Sequence, residues 1–194
     1  MAVFTESWLD DSTPDSAVSI EGYSICRRDR CRNGGGIVAY VEQAYTFRVL
    51  TASDIPSLST CESEFLAIQF TNTPLFVIGV YHPFWNDTSR NDQCMSCIAE
   101  MIDHVLITSQ FDTTIMRLVV CGDFNGLHHC LNEFSSLCQL TPVVSTPTRE
   151  NNVLDQIFVN YRVDCVPRVL PPMGKSDHKI VFWDAAPRAV KSTV

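Results

Sequence analysis

The stretch LVVCGDFN, residues 118–125, joins a run of apolar residues to a short polar segment. Leu118 to Cys121 is predicted to form a buried strand. Asp123 and Asn125 follow it closely, and loops at strand ends, held by a rigid sheet, are where catalytic groups usually sit. Taken alone, Gly122–Gly126 could be only a turn, because Gly, Asp and Asn all favour turns.

Polar side chains also stand at the ends of other predicted strands. In chain order they are Glu6 after Ala2–Thr5, Tyr81 and His82 at the end of Leu75–Tyr81, Asp155 in Leu154–Val159, and Asp177 and His178 before Lys179–Trp183. Ser176–His178 by itself could be a capping segment or an ordinary loop. The combination therefore points to a functional site more strongly than any one residue does.

The rest of the chain reads as many strands and few helices. Further strands, rich in β-branched and aromatic residues, are predicted over residues 23–26, 36–41, 45–50, 65–70 and 164–170. Apolar residues at three- and four-residue intervals predict a helix from about Asp92 to Ile107, and a short helix is predicted over Leu131–Leu137. Residues 71–74 form a hairpin connection, which implies antiparallel pairing. The sum is an α/β sandwich over residues 1–186, followed by a tail over 187–194.

The net charge of -8 argues against binding of nucleic acid through overall positive charge. A site for a divalent cation, however, needs several carboxylates, and the bound metal then supplies the positive charge that meets phosphate. Four arginines crowd one short segment, at positions Arg27, Arg28, Arg30 and Arg32. This cluster fits either a contact with a phosphate backbone or a solvated loop.

The nine cysteines show no regular disulfide framework in a chain of this length. The first residues lack the pattern of a signal peptide, and no stretch approaches the length of a transmembrane helix. We therefore expect reduced thiols and an intracellular protein. Cys94 and Cys97 form a C-x-x-C pair, but no second pair follows at zinc-finger spacing. Inside a predicted helix, two residues three positions apart simply share one face.

Seven segments occur in an order that resembles a known family. They are Thr5–Leu9 (TESWL), Gly34–Gly36 (GGG), Tyr81–Pro83 (YHP), Gly122–Asn125 (GDFN), Pro147–Arg149 (PTR), Leu154–Phe158 (LDQIF) and Ser176–His178 (SDH). Together they resemble the endonuclease/exonuclease/phosphatase superfamily, whose fold is that of DNase I. TESWL, GGG and PTR look most like the endonuclease domains of non-LTR retrotransposons. The glycine run alone is a weak signal, typical of a tight turn or a close backbone approach.

The resemblance implies a four-layered α/β sandwich, with two mainly antiparallel sheets flanked by helices. It implies Mg²⁺-dependent hydrolysis of a phosphodiester, with Mn²⁺ as the alternative metal, in an endonuclease that nicks DNA. By motif, Glu6 would be a metal ligand and Asp177 would lie beside the same cation, since carboxylate oxygens suit a hard ion.

The same resemblance implies roles for five catalytic residues. Asp123 would orient or deprotonate the attacking water. Asn125 would donate a hydrogen bond to the phosphoryl oxygens as charge builds there. His178 would bind or protonate the phosphate region, with Asp155 accepting its other ring N–H and fixing the tautomer. Tyr81 would hydrogen-bond a phosphate oxygen through its phenol.

The sequence departs from the family pattern at its start. Family members normally have another strand, carrying an Asn that helps to hold the metal, before the Glu-bearing strand. We therefore expect an N-terminally truncated domain that lacks its first strand. Gln156 also stands where a hydrophobic residue is usual.

Two other functions stay open beside the nicking endonuclease. One is a catalytically impaired remnant of a decayed retroelement. The other is a phosphomonoesterase of the same fold, for which Lys175 and Arg149 are the obvious basic residues near the motifs. The expected partner is DNA, with no membrane, and a reverse-transcriptase domain could belong to the same parent polyprotein. Action on genomic DNA would require a nuclear location.

Overall fold

The computed structural model describes residues 1–30, 33–85, 87–125, 127 and 130–184. Arg32 and the predicted tail, residues 187–194, lie outside the described residues. Eleven strands are described: β1 (Ala2–Thr5), β2 (Tyr23–Arg28), β3 (Ile37–Glu42), β4 (Phe47–Val49), β5 (Glu64–Phe70), β6 (Leu75–Tyr81), β7 (Arg117–Asp123), β8 (Thr141–Pro142), β9 (Asp155–Val159), β10 (Arg168–Pro172) and β11 (Lys179–Phe182). The helices are α1 (Asp15–Val18), α2 (Thr88–Thr108) and α3 (Leu131–Cys138), with a 3-10 helix over Pro56–Ser59.

Six strands form the central sheet, in the order β4-β5-β6-β7-β9-β8. β4, β5 and β6 pair antiparallel, which confirms the predicted hairpin between β5 and β6. β6 and β7 are parallel because the long helix α2 connects them and returns the chain to the same end of the sheet. β7 and β9 pair antiparallel, so the sheet is mainly but not wholly antiparallel.

Both faces of the central sheet are covered. On one face, apolar residues of the sheet pack with buried residues of α2 and α3, among them Ile98, Met101 and Phe134. On the other face they pack against the three-stranded sheet, whose strand order is β1-β3-β2. These two cores confirm the predicted α/β sandwich of sheets flanked by helices. Beyond the three-stranded sheet, Tyr40 donates a hydrogen bond to the carbonyl of Val18 in α1 at 2.6 Å.

The predicted bounds were wrong at several elements. Helix α2 begins at Thr88, four residues before Asp92, because the side chain of Asp87 accepts a hydrogen bond from the N–H of Ser89 and caps the first turn. Strand β10 begins at Arg168 rather than at Asp164. Three short elements were not predicted: α1, the 3-10 helix and β8.

Strands β10 and β11 form a separate two-stranded ribbon. The backbone N–H of Lys179 donates to the carbonyl of Thr148 at 2.8 Å, and its ammonium group donates to the carbonyl of Pro147 at 3.1 Å. These bonds hold the start of β11 beside the start of β9. None of the described helices has the length and apolar character needed to cross a membrane.

Candidate active site

Four polar side chains form a row across the neighbouring ends of four strands of the central sheet. In register, Glu64 of β5 pairs with Tyr81 of β6, Tyr81 with Asp123 of β7, and Asp123 with Asp155 of β9. Residues that pair in this way point to the same face of a sheet. Tyr81 belongs to the core between the two sheets, so the row faces the end of the three-stranded sheet.

Gly122 allows β7 to reach this row. Its φ is +145°, and a Cβ atom there would lie 1.9 Å from the carbonyl oxygen of Val80. Only glycine fits such a close approach to β6. The next residue, Asp123, is 4% exposed, and its carbonyl accepts a hydrogen bond from the N–H of His82 at 2.9 Å. The carboxylate is thus placed by the backbone of two adjacent strands.

Asn125 fixes the orientation of the Asp123 carboxylate. Its backbone N–H donates to one carboxylate oxygen at 3.0 Å and its side-chain amide donates to the other at 2.9 Å. The same amide donates to the carbonyl of His82 at 3.0 Å. The predicted contact of Asn125 with phosphate would therefore compete with the bonds that this amide donates to Asp123 and His82.

Asp155 and His178 form a hydrogen-bonded pair beside Asp123. His178 Nδ1 lies 2.9 Å from Asp155 Oδ2, and His178 Nε2 lies 4.0 Å from Asp123 Oδ2. The hydrogen bond to Asp155 raises the pKa of His178, and partial burial lowers it by a smaller amount. The pKa of His178 therefore lies above its ordinary value. The predicted pairing of these two residues is present in the structure, and it turns Nε2 toward Asp123.

Burial dominates the titration of Asp123. It raises the pKa of this carboxyl to about 7, and the negative charge of Asp155 adds to the increase. The positive charge of His178 and the hydrogen bonds from Asn125 offset only part of it. A carboxylate with a pKa near neutrality can take up and release a proton under working conditions.

Glu6 lies at the other end of the row, directly after β1. Its carboxylate accepts hydrogen bonds from the phenol of Tyr81, from Trp8 Nε1 at 2.7 Å and from the N–H of Gly35 at 2.6 Å. Burial by itself raises the pKa of Glu6, but these hydrogen bonds outweigh it, and the pKa lies below its ordinary value. Glu6 is therefore ionised at neutral pH. The pKa of Tyr81 shifts in the opposite direction, because burial and the hydrogen bond to Glu6 raise it.

Glu64 is a residue of this site that the sequence reasoning missed. It is 6% exposed, accepts a hydrogen bond from the N–H of Gly36, and forms an ion pair with Arg30 at 3.1 Å. Burial raises its pKa, and the nearby charge of Glu6 contributes to the increase. Glu64 directly precedes an apolar run and belongs to none of the motifs quoted above. Its partners lie about thirty residues away in sequence, so only the fold reveals it.

The glycine run makes this acidic end of the site possible. A Cβ atom on Gly35 would lie 2.6 Å from both the Arg30 and the Glu64 side chains, and one on Gly36 would lie 2.4 Å from Ser7 Oγ. Both glycines have positive φ. The predicted close backbone approach is confirmed, and it is what brings the N–H groups to the two glutamates.

Two of the described arginines of the segment are bound within the protein, and the predicted contact with a phosphate backbone stays a prediction. Arg27 is bound internally by Asp29 and Asp15, and Arg28 donates to the carbonyl of Leu58 at 3.0 Å. Arg30, paired with Glu64, lies over the ring of Tyr81 at 6.0 Å and so borders the row. Among the described arginines of this segment, Arg30 alone contacts the site.

The predicted metal ligands are not brought together in the described contacts. Asp177 is exposed, and its carboxylate pairs with Arg149 at 2.6 Å. The described group whose ligand atoms lie within 4.8 Å of one another is instead Asp123, Asp155 and His178. The assignment of Glu6 and Asp177 as metal ligands therefore stays a prediction.

Two buried residues position the site without facing it. Thr148 Oγ1 accepts hydrogen bonds from the N–H groups of Leu154 and Asp155 at 3.1 and 3.0 Å, which fixes the start of β9. His82 is 0% exposed and is held between Ser63 at 2.8 Å and Asn91 at 3.0 Å. Burial lowers the pKa of His82, so it is neutral.

No family model and no curated protein matches this sequence. Among solved structures, the chain is similar to the endonuclease domain of TRAS1, a telomere-specific non-LTR retrotransposon, with 14% identity over 82% of this chain and 78% of that chain and a TM-score of 0.47. It is also similar to a humanised D. rerio TDP2, with 10% identity over 81% and 74% of the two chains and a TM-score of 0.48. An endonuclease/exonuclease/phosphatase family protein from Leptotrichia buccalis shares 13% identity over 84% and 74%, with a TM-score of 0.45. At these identities and TM-scores the three likenesses carry no argument about the family or the activity of this chain.

Proposed function

We propose that this chain is a metal-dependent phosphodiesterase of the endonuclease/exonuclease/phosphatase superfamily that nicks DNA. The observation that carries the proposal is the arrangement of Asp123, Asp155 and His178. A histidine oriented by one carboxylate faces a second, buried carboxylate at 4.0 Å, and the second carboxylate has a pKa of about 7. General acid–base chemistry at neutral pH needs such a pair.

Each member of this group has a distinct task in the proposed reaction. Asp123, aimed by Asn125, accepts a proton from the attacking water. His178 presents Nε2 to the phosphate, and a raised pKa favours the imidazolium form that suits an anion. Asp155 holds the other ring nitrogen of His178 and fixes its orientation. The gap of 4.0 Å between Nε2 and Asp123 is too long for a direct hydrogen bond, so both groups can address the substrate.

Glu6 is the residue proposed to hold the divalent cation. Its ionised carboxylate offers the oxygen ligand that Mg²⁺ or Mn²⁺ prefers, whereas the Asp123, Asp155 and His178 group includes a nitrogen ligand that suits Mg²⁺ less well. Asp177 is the second proposed ligand, and its Oδ2 pairs with Arg149 at 2.6 Å. The cation, when bound, polarises the phosphate and stabilises the leaving oxyanion.

DNA is the proposed substrate, and a surface cleft that adjoins the site at Asn125 supports this. The cleft has a volume of about 280 Å³ and is lined by Phe84, Asn125, Arg149, Glu150, Asn152 and Leu154. Phe84 is strongly exposed at its edge. The TESWL, GGG and PTR segments support an origin in a non-LTR retrotransposon. In that setting a reverse-transcriptase domain on the same polyprotein and a nuclear location are part of the proposal.

The phosphomonoesterase alternative has less support. An enzyme for inositol polyphosphates needs a basic pocket for the phosphates that do not react. Of the two basic residues near the motifs, Arg149 is already paired with Asp177 at 2.6 Å. The additional phosphates of a polyphosphate would have to compete with Asp177 for Arg149. A phosphodiester carries one negative charge at the reacting group and needs no such additional basic site.

The test is nicking of supercoiled plasmid, with Mg²⁺ or with EDTA, by the wild type, Glu6→Gln and the exposed-site control Glu21→Gln. We expect Mg²⁺-dependent conversion to open circles, a rate at least about tenfold lower for Glu6→Gln at low Mg²⁺, and an unchanged rate for Glu21→Gln. Intact plasmid with a folded wild type would favour the impaired remnant. Phosphate release from inositol polyphosphates without nicking would favour the phosphomonoesterase.

A further inference from the structure

The loop before β5 lies along one face of helix α2. Gln93 Nε2 donates to the carbonyl of Thr60 at 3.3 Å, and Arg90 pairs with Glu62 at 2.7 Å. On a helix, residues three and four positions apart share a face, so the positions 90, 93, 94 and 97 point toward this loop. The residue between Thr60 and Glu62 is Cys61, and it is brought against the cysteines of α2.

Cys61 and Cys97 are held together by direct and shared contacts. Cys61 packs against the buried cluster that contains Cys97, and the interaction between the two thiols lowers the pKa of Cys61 and raises that of Cys97. Ser57 links the two residues, because its hydroxyl lies 3.3 Å from Cys97 Sγ and its carbonyl accepts from the N–H of Cys61 at 3.0 Å. Ser57 thus places the two cysteines on opposite sides of the boundary between the loop and α2.

The two thiols are not equivalent. Cys61 is half-buried, whereas Cys97 is 1% exposed. The hydrogen bond from Cys97, further bonds from Ser63 and the charge of Arg28 hold the pKa of Cys61 well below its usual range. The contact with Cys61 and burial raise the pKa of Cys97. A thiolate that solvent can reach therefore stands beside a protonated thiol, and the thiolate is the reactive form.

We propose that Cys61 and Cys97 form a hydroperoxide-reactive dithiol site that closes to a disulfide between the loop and α2. The Cys61 thiolate attacks one oxygen of the hydroperoxide, the O–O bond breaks, and Cys61 becomes a sulfenic acid while the other oxygen leaves as hydroxide. The sulfur of Cys97 then attacks the sulfenic sulfur, and water leaves with the Cys97 proton. In total two thiols and one hydrogen peroxide give one disulfide and two waters.

Cys94 is the nearest competing partner. It is fully buried on the same face of α2, but its hydrogen-bond partner is Ser63 rather than Cys61. Zinc chemistry is not favoured either, since no described group of three metal-ligating residues includes these thiols. The contact of Ser57 with both Cys61 and Cys97 thus favours this thiol pair, and oxidation over metal binding.

The test uses the full chain. Its readouts are chemical modification and disulfide mapping, so it does not depend on nuclease activity. First, iodoacetamide alkylation at pH 7 is followed by peptide mass spectrometry. We expect Cys61 to react at least about tenfold faster than the half-buried control Cys138, whose pKa burial raises to about 11. Second, one equivalent of hydrogen peroxide is added to the wild type, Cys97→Ser and the control Cys138→Ser.

The expected product is a link between Cys61 and Cys97 in the wild type and in Cys138→Ser. In Cys97→Ser, dimedone should instead trap a sulfenic acid on Cys61. Alkylation of Cys61 no faster than that of Cys138 would overturn the proposal without any variant. A wild-type disulfide that joins Cys61 to Cys94, or that leaves Cys61 out, would overturn it as well.

Discussion

His82 and His178 both lie beside Asp123, but their pKa values move in opposite directions. His82 is fully buried between two uncharged partners, Ser63 and Asn91, and burial lowers its pKa. His178 is half-buried against the carboxylate of Asp155, and this contact raises its pKa. The backbone N–H of His82 donates to the carbonyl of Asp123, whereas His178 Nε2 lies 4.0 Å from the Asp123 carboxylate. The partner, rather than the residue type, thus decides the direction in which the pKa of a histidine moves.

The largest expected effect in this comparison is on the carboxylate that the two regions share. Asp123→Asn keeps the shape of the side chain but removes the proton acceptor, so the Mg²⁺-dependent nicking rate should fall by about 10² to 10⁴-fold. Single-turnover nicking of plasmid measures it, with the exposed-site substitution Asp112→Asn as control. A folded Asp123→Asn protein that nicks at the wild-type rate would remove Asp123 from the proposed chemistry.

The next largest expected effect is on stability and concerns His82, which supports the site without facing it. His82→Ala leaves Ser63 and Asn91 without their buried partner and opens a cavity, so the free energy of unfolding should fall by about 3 kcal/mol. Urea unfolding measures this, and His104→Ala is the control, because His104 is half-buried and its Nε2 has no hydrogen-bond partner among the described residues. Equal losses for the two variants would show that the buried network around His82 contributes little to stability.

The smallest effect is a pair of opposite pH dependences. Burial lowers the pKa of His82, so its contribution to stability is present above the unfolded pKa of 6.5 and is lost as the pH falls below it. The pKa of Asp123 is raised to about 7, so its contribution is present below 3.8 and is lost as the pH rises toward 7.

The difference in the free energy of unfolding between the wild type and each variant cancels the groups that titrate alike in both proteins. From pH 8 to pH 5, the advantage of the wild type over His82→Ala should shrink. Over the same range, the wild type should gain stability relative to Asp123→Asn. Two differences with the same sign of slope would contradict the contrast between the regions.

The sequence predicted the sandwich because its strands are marked by apolar runs and its long helix by apolar periodicity. It missed the start of α2, since Thr88–Asn91 is polar and only the cap on Asp87 shows where the helix begins. It also anticipated the pairing of Asp155 with His178, through a motif resemblance rather than through spacing.

Glu64 and Thr148 could not be found in the same way. Glu64 is placed by cross-strand register and by Gly36, which lies 28 residues away, and Thr148 acts through a hydroxyl on the backbone of β9. The state of Cys61 likewise depends on Cys97, which lies in helix α2, far along the sequence. Such sites arise from tertiary contacts, which leave no local pattern in a single sequence.

The central claim is that His178, held by Asp155 and facing Asp123, takes part in hydrolysis of a phosphodiester. The most direct measurement is the Mg²⁺-dependent nicking rate of His178→Ala, beside Asp155→Asn and His104→Ala. We predict a loss of about 10² to 10⁴-fold for His178→Ala, a smaller loss of about 10 to 100-fold for Asp155→Asn, and no loss for His104→Ala. A folded His178→Ala protein that nicks plasmid as fast as the wild type would contradict the claim.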